Sequence, residues 1–276
     1  MTVGIIGLGL IGGSMARAYK ANGHTILGHD INNVVLSWTQ LNNITDEKLT
    51  EENIPSCDLI LLAVTPENAV AWLEKNAQYI AKTTLVIDLC GTKRKICSAG
   101  FALAEKYGFT FVGGHPMAGS HLGGIKNARA DLFKDETVVI VPPCRDDIML
   151  YDRAKKALSP AGFARYTFTT AEAHDEMIAY TSQLAHVVSN AFVKSPRAQK
   201  HNGISAGSYR DLTRVAQLDV KMWTELFLEN HDNLSAELEL IINSLTEYKN
   251  AIDSGNAEEL ESLLRAGCEA KEQADG

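Results

Sequence analysis

The chain has 276 residues, of which 45% are hydrophobic and 22% charged, and its formal net charge is −8 at pH 7. This composition is typical of a globular protein and excludes wholesale disorder, and the length is sufficient for two domains. The acidic balance argues against a protein that binds nucleic acid by neutralising phosphates.

The first half of the chain alternates short aliphatic runs with stretches of helical spacing. The runs predicted as strands are residues 2–6, 25–28, 59–64, 85–87, 109–112, 137–141 and 164–168. The stretches predicted as helices are residues 14–22, 66–80, 93–106 and 146–158. Nearly continuous apolar strands that alternate with helices indicate a parallel sheet buried on both faces, as in an α/β domain.

After residue 170 the pattern is helical. Thr170 has the residue type of an N-cap, with Glu172 in the first turn, and the segment from there to Val193 contains neither Gly nor Pro. Further helices are predicted at about residues 214–229, 233–253 and 257–272. We therefore predict an α/β domain over residues 1–165 and an all-helical domain over residues 166–276.

A glycine motif follows the first predicted strand. It has the G-x-G-x-x-G pattern of dinucleotide-binding turns and comprises Gly7, Leu8, Gly9, Leu10, Ile11 and Gly12. Such glycines allow a tight turn and let the backbone approach a pyrophosphate, which rests on free N–H groups of the helix. Asp30, at the end of the second strand, could accept hydrogen bonds from the ribose hydroxyls and repel a 2′-phosphate. The sequence thus predicts a Rossmann-type site for NAD; the alternatives are a ligand-free turn and a surface carboxylate.

A second motif, G-G-H-P-M-A-G-S over residues 113–120, follows the strand predicted at residues 109–112. Ligands in open α/β sheets bind beyond the carboxyl ends of strands, where this motif places His115. The flanking glycines would permit the close approach of a ring or a nicotinamide. A neutral imidazole there could accept a proton from a hydroxyl group while the carbon beneath it loses hydride. His115 is therefore a candidate general base, and its alternative is a structural role in the loop.

Six segments together resemble the prephenate/arogenate dehydrogenase family of tyrosine biosynthesis. They follow the family's order over nearly the whole chain: residues 7–13, D-L-C-G-T-K at 88–93, 113–120, H-D at 174–175, S-Q-L-A-H at 182–186 and R-D-L-T-R at 210–214. H-P-M-A-G and L-T-R are the specific elements. The resemblance implies an NAD-binding Rossmann domain followed by a helical dimerisation domain, a homodimer, and an active site in the cleft between the domains.

The resemblance also implies a reaction. Prephenate is a cyclohexadienol with two carboxylates; it loses hydride to NAD⁺ and its ring carboxylate as CO₂, which leaves an aromatic ring. Such a site needs a proton acceptor and a cation, and by resemblance these are His115 and Arg214. The planar guanidinium suits that task because it can hold a carboxylate bidentately. Without the motif, Arg214 would be interpreted as a member of a surface or interdomain ion pair.

Other residues take their expected roles from the same resemblance. The implied substrate contacts are His186, Ser120, His121 and Asp211, and the further cofactor contacts are Val64, Thr65 and Gly91. His174 and His186 lie on one predicted helix, roughly 18 Å apart along its axis, which is too far for one substrate to touch both. The family pattern assigns the substrate to His186. The pair His174-Asp175 is therefore interpreted as helix-start structure.

Two positions depart from the family pattern. Members often have a serine where this chain has Gly91, and that serine helps to orient the catalytic histidine. Thr92, the next residue, is our hypothesis for the missing hydroxyl. Some members carry a glutamate where this chain has His121, a change that bears on how the side chain of the substrate is recognised.

Three alternatives to prephenate oxidation stay open. Arogenate carries an ammonium in place of the keto group; His186 and His121, with few acidic residues nearby in the sequence, favour the keto acid. A non-catalytic NAD(H)-sensing protein would keep the glycine motif but would not need the histidine, the arginine and the Thr-Lys loop together. A β-hydroxyacid dehydrogenase on a similar fold would lack the H-P-M-A-G loop.

Five scattered cysteines, an odd number without a C-x-x-C pair, are typical of reduced thiols in a cytoplasm. The longest apolar stretch, residues 3–16, is too short to cross a membrane and has no basic residues before it, unlike a signal peptide. We expect a cytoplasmic protein without metal, nucleic-acid or membrane partners. Little chain follows the last predicted helix, so a monofunctional enzyme is expected.

Overall fold

The computed structural model describes residues 1–119, 122–201 and 203–275. Strands and helices alternate up to Phe168. The strands are β1 (Thr2–Ile6), β2 (Thr25–His29), β3 (Glu47–Lys48), β4 (Leu59–Leu62), β5 (Leu85–Asp88), β6 (Thr110–Pro116), β7 (Thr137–Val141) and β8 (Arg165–Phe168). The helices between them are α1 (Leu10–Ala21), α2 (Asn33–Leu41), α3 (Pro66–Asn76), α4 (Arg94–Tyr107) and α5 (Ile148–Leu158).

The eight strands form one sheet in the order β3-β2-β1-β4-β5-β6-β7-β8. The first six pair in parallel, β7 pairs antiparallel with β6, and β8 is parallel to β7. The order of the first six is the Rossmann arrangement. The predicted α/β class with a Rossmann-type sheet is confirmed, and the carboxyl ends of β1, β4, β5 and β6 lie side by side along one edge.

Each face of the sheet has its own apolar core. Successive side chains of β1 point to opposite faces, so Val3 and Ile5 pack in one apolar cluster and Ile6 packs in the other. All four residues of β4 are buried, as expected of a strand covered on both faces. The two cores fix the sheet and hence the positions of the loops along its carboxyl edge.

The described residues after Phe168 contain helices and no strand. They are α6 (Ala171–Ile178), a π-helical turn (Ala179–Leu184), α7 (Ala185–Phe192), a 3₁₀ turn (Pro196–Lys200), α8 (Gly207–Thr213), α9 (Val220–Glu229), α10 (His231–Ser254) and α11 (Ala257–Asp275). The Thr170 side chain accepts a hydrogen bond from the N–H of Ala173 and so caps α6, as predicted. The division into residues 1–165 and 166–276 stays a prediction.

Several element bounds differ from the sequence prediction. Helix α2 was not predicted; the Asn32 side chain caps it by accepting from the N–H of Val34. Helix α1 starts at Leu10 instead of residue 14. The helix predicted from residue 214 starts at Val220, where the Asp219 side chain caps it by accepting from the N–H of Met222.

The described part of the chain has neither a membrane-spanning helix nor a cluster of metal-ligating side chains. No helix there is both long enough and apolar enough to span a membrane. Nor do three or more His, Cys, Asp or Glu side chains within residues 1–119, 122–201 and 203–275 come together as ligands for a metal ion.

Candidate active site

The glycine turn after β1 has the geometry of a dinucleotide cradle. Gly7 has a φ of +85°, and a Cβ on Gly12 would lie 1.8 Å from the Gly7 carbonyl oxygen, so both positions require glycine. A Cβ on Gly9, by contrast, would meet nothing within 4 Å. Gly9 is also the N-cap of α1 and makes no side-chain cap, so the helix N-terminus keeps free N–H donors. These features fit a pyrophosphate held by backbone groups.

Asp30 lies beside this turn. Its Oδ2 accepts a hydrogen bond from the N–H of Leu8 at 2.9 Å, and its Oδ1 accepts from the N–H of Asn32 at 2.8 Å. Both bonds fix the carboxylate at the end of β2, where the adenosine ribose of a bound dinucleotide would lie. The residues present therefore fit NAD, whose 2′-hydroxyl can donate to this carboxylate.

We expect a D30S/I31R double variant to shift the ratio of NADPH to NADH affinity by roughly tenfold or more, because a charged group is removed and a cation added. Ile31 is 97% exposed, so arginine there disturbs no packing. The measurement is the Kd of each reduced cofactor by fluorescence, with Ile31→Arg alone as the matched control. Equal affinity of the unaltered protein for NADPH and NADH would contradict the role given to Asp30.

His115 lies on β6 itself, not in a loop after it. The strand continues to Pro116 because β7 pairs with it, His115 opposite Val139. The adjoining glycines serve the protein's own packing: a Cβ on Gly113 would lie 2.6 Å from the Cys97 sulfur, and one on Gly114 would lie 2.6 Å from the Asp88 carbonyl oxygen. Gly113 and Gly114 let β6 approach α4 and β5. A Cβ on Gly119, on the other side of His115, would meet nothing within 4 Å, so the room expected there for a ring or a nicotinamide stays a prediction.

A hydrogen-bonded chain runs from His115 into the helical part. His115 Nδ1 lies 2.9 Å from His174 Nε2, and His174 Nδ1 lies 2.7 Å from Asp175 Oδ1. His174 and Asp175 are 3% and 1% exposed, whereas His115 is partly exposed. Among residues 1–119, 122–201 and 203–275, none forms a hydrogen bond with His115 Nε2.

Asp175 is anchored by donors on α4. Its carboxylate accepts from the N–H of Lys93 at 2.7 Å and of Arg94 at 2.9 Å, and it also contacts Arg94 Nε. Burial alone would raise the pKa of Asp175, but the hydrogen bonds from His174 and from these N–H groups bring it below its ordinary value. An anion at the start of α4 is also favoured by the helix dipole. Asp175 is therefore an ionised acceptor.

A buried ion pair lies beneath the site. The Lys93 ammonium bonds the Asp88 carboxylate, both fully buried, and Asp88 also accepts from the N–H groups of Cys90 and Gly114. Burial, followed by the nearness of His174 and of the Lys93 charge, holds the pKa of His115 well below 6.5. His115 is consequently neutral at pH 7 and able to accept a proton.

A second cluster contains His186, Trp223 and Arg214. The His186 ring lies 4.0 Å from the Trp223 ring, and its Nδ1 contacts the Ser182 carbonyl at 2.8 Å. Burial, and to a smaller extent the Arg214 charge, lowers the pKa of His186, so it too is neutral at pH 7. Arg214 caps the carboxyl end of α8 and is exposed. Among the described residues it has no ion-pair partner.

The remaining predicted residues are placed as follows. Val64 and Thr65 follow β4, and Gly91 follows β5, along the same sheet edge as Gly7 and His115. Thr92 donates its hydroxyl hydrogen bond to Glu229 at 2.7 Å and not to His115. Asp211 is exposed on α8 and, within the described residues, forms no bond with Arg214. Ser120 and His121 lie outside the described residues.

Sequence reasoning did not place His174 and Asp175 in the candidate site, although His174 lies 2.9 Å from His115. It took them for helix-start residues, and Asp175 does cap a helix, but that helix is α4 and not its own. The signal was the H-D pair itself, which forms part of the family resemblance. A histidine followed by a carboxylate could have been predicted as a hydrogen-bond partner of His115, although the two histidines are 59 residues apart.

Comparison with known proteins gives a consistent result. The family described as "Prephenate dehydrogenase, nucleotide-binding domain" matches residues 15–165, and "Prephenate dehydrogenase, dimerization domain" matches residues 170–266. The prephenate dehydrogenase of Lactococcus lactis subsp. cremoris is 30% identical, over 95% of this chain and 74% of that protein. That of Bacillus subtilis is 28% identical, over 100% of this chain and 76% of that protein.

The fold is shared with a solved relative. The crystal structure of prephenate dehydrogenase from A. aeolicus in complex with hydroxyphenyl propionate and NAD⁺ superposes with a TM-score of 0.85 and 26% identity. The match covers 99% of this chain and 98% of that one. It therefore includes the sheet and the helical part together.

Proposed function

This chain belongs to the prephenate dehydrogenase family, and from that premise we propose that it oxidises and decarboxylates prephenate with NAD⁺. The products are 4-hydroxyphenylpyruvate, CO₂ and NADH, a step of tyrosine biosynthesis. As a member of this family the chain is an NAD-dependent oxidoreductase, and the alternative of a non-catalytic NAD(H)-sensing protein is not retained.

One observation carries the proposal: a neutral imidazole at the carboxyl end of β6, on the same sheet edge as the glycine turn. His115 Nδ1 is occupied by His174, and no described residue occupies Nε2. When bound, NAD⁺ supplies the hydride acceptor. His115 Nε2 accepts the proton of the 4-hydroxyl group as the ring carbon is oxidised. Loss of CO₂ then makes the ring aromatic, which provides the driving force.

Arg214 and His186 are proposed to hold the substrate. Prephenate has two negative charges, and His115 and His186 are neutral at pH 7. Arg214 supplies the full cation that a carboxylate requires, and it lacks a competing acid among the described residues. The same observation favours prephenate over arogenate, because no described carboxylate pairs with this cluster to receive an ammonium.

The test is NADH formation with prephenate and with L-arogenate, each with NAD⁺ and NADP⁺. We expect turnover of prephenate with NAD⁺ and a kcat/KM for arogenate lower by roughly tenfold or more, as when a buried charge meets no partner. The His115→Asn protein serves as the blank. A preference for arogenate would replace the proposed substrate, and the absence of turnover with both would refute the proposed function.

The proposed assembly is a homodimer formed through the helices. The family match over residues 170–266 is to a dimerization domain. Helices α10 and α11 also expose large apolar side chains, each more than half accessible: Leu240, Ile242, Leu245, Ile252 and Leu264. We further propose that the protein works in the reducing cytoplasm, in keeping with its five free cysteines.

A further inference from the structure

We propose that His174 and Asp175 are positioning residues that fix the proton-accepting tautomer of His115. The inference rests on the proposed function, in which His115 is the general base. It deepens that function because it states how this chain orients its base without the serine that the family often carries at position 91.

Asp175, the last member of the hydrogen-bonded chain, determines which atom donates in each hydrogen bond. An ionised carboxylate can only accept, so His174 must donate from Nδ1 to Asp175. Neutral His174 then carries a lone pair on Nε2, which lies 2.9 Å from His115 Nδ1. His115 must therefore carry its own hydrogen on Nδ1 and its lone pair on Nε2. That is the tautomer which can accept a proton from a substrate.

Positions 91 and 92, in the loop after β5, give His115 no hydroxyl partner. Gly91 has no side chain, and a Cβ there would lie 3.2 Å from the Leu226 side chain on α9. The hydroxyl of the next residue, Thr92, is 2.7 Å from Glu229 Oε2 on the same helix. The loop after β5 thus packs against α9, and His174 is the partner that the structure gives to His115 Nδ1.

The positioning pair is held rigidly. Asp175 accepts two backbone N–H groups at the start of α4, and its own carbonyl accepts from Asn230 Nδ2 at 2.8 Å. Arg94 contacts the same carboxylate through Nε, and its two other guanidinium nitrogens donate to the carboxylate of Asp232 on α10. A charge held by fixed donors keeps its acceptor role throughout the reaction, so the tautomer of His115 is set before substrate binds.

The direct test is the tautomer of His115 in the free protein, measured by NMR of ¹⁵N-labelled histidine at neutral pH. The His115 signals are identified by their loss in His115→Asn. We expect hydrogen on Nδ1 and none on Nε2. In His174→Phe, which keeps the ring but removes the acceptor, we expect the Nε2–H form to appear.

Kinetics supply the second readout. His174→Phe is expected to lower kcat by roughly 10²-fold, as for a misplaced catalytic group, with KM and the Kd for NAD⁺ little changed. His174→Gln should recover much of this loss, because its amide can donate to Asp175 and its oxygen can accept from His115. Asp175 itself is a poor target because it also caps α4. His231→Phe, at an exposed histidine on α10, is the matched control.

The outcomes separate this inference from the proposed function. Nε2–H on His115 in the unaltered protein would overturn the inference without any variant. So would an unchanged Nδ1–H tautomer and kcat in His174→Phe. The NMR measurement needs no substrate, so it decides the inference even for a chain that turns over neither prephenate nor arogenate.

Discussion

Replacing His115 with Asn is expected to lower kcat by roughly 10²–10⁴-fold, the range for the loss of a general base. The amide is close in size to imidazole, and its nitrogen can still donate to His174 Nε2, so the fold and the hydrogen-bonded chain remain. An amide nitrogen has no lone pair for a proton, so only the chemical step is affected. Steady-state kinetics should show KM and the Kd for NAD⁺ little changed.

The pH profile checks the same assignment independently. Only neutral imidazole accepts a proton, and burial together with His174 and Lys93 holds the pKa of His115 well below 6.5. We expect kcat/KM to stay level as the pH falls through 6.5 and to decline only further down, whereas the Asn variant lacks this acidic limb. His231→Asn is the matched control. A His115→Asn protein with near-normal kcat would make His115 a structural residue.

Much of the fold could be predicted from local sequence. The apolar run at β4 is buried on both faces, and the glycine turn after β1 depends on its own backbone geometry, with a φ of +85° at Gly7. Such features depend on residues close together in the chain. The ends of strands and helices also depend on contacts with other elements. Strand β6 is longer than predicted because β7 pairs with its last residues.

The candidate site could be predicted only in part, since its contacts join distant segments. His115 and Arg214 came from motifs, but the pairing of His115 with His174 spans 59 residues and that of Thr92 with Glu229 spans 137. Both depend on how α6 and α9 pack against the loop after β5. No periodicity or spacing within either segment reports that packing, so the hydroxyl of Thr92 was given the wrong partner.

The same packing narrows the choice of the residue that binds the substrate carboxylate, which we call the clamp. Three other basic residues lie in or beside the family motifs: Lys93, Arg94 and Arg210. Lys93 is fully buried against Asp88, and Arg94 pairs with Asp175 and Asp232. A guanidinium or ammonium already held by carboxylates cannot also hold a substrate carboxylate without losing those bonds. Arg214 and Arg210, both exposed around the end of α8, remain.

Replacing Arg214 with Ala is expected to raise KM for prephenate at least tenfold. A charge-assisted hydrogen bond contributes about 1.5–3 kcal/mol, and a bidentate pair can contribute more. The Kd for NAD⁺ should change little, because the Arg214 charge acts on His186 in the helical part, whereas the glycine turn follows β1. Arg214→Lys should recover only part of the loss, since a point charge cannot reproduce the planar fork. KM from initial rates and Kd from cofactor fluorescence provide the two measurements.

Arg210→Ala is the matched comparison, because it removes the same side chain one turn earlier along α8. If Arg214 is the clamp, only the variant at position 214 raises KM, and salt weakens prephenate binding in the unaltered protein more than in Arg214→Ala. A rise in KM confined to Arg210→Ala would transfer the role to that residue. If Arg214→Ala bound prephenate normally but unfolded at a lower temperature, Arg214 would instead be a structural residue of the α8 terminus. These two roles of Arg214 predict different results. A clamp attracts the dianionic substrate and so affects KM, whereas a cation at a helix end stabilises only the folded protein.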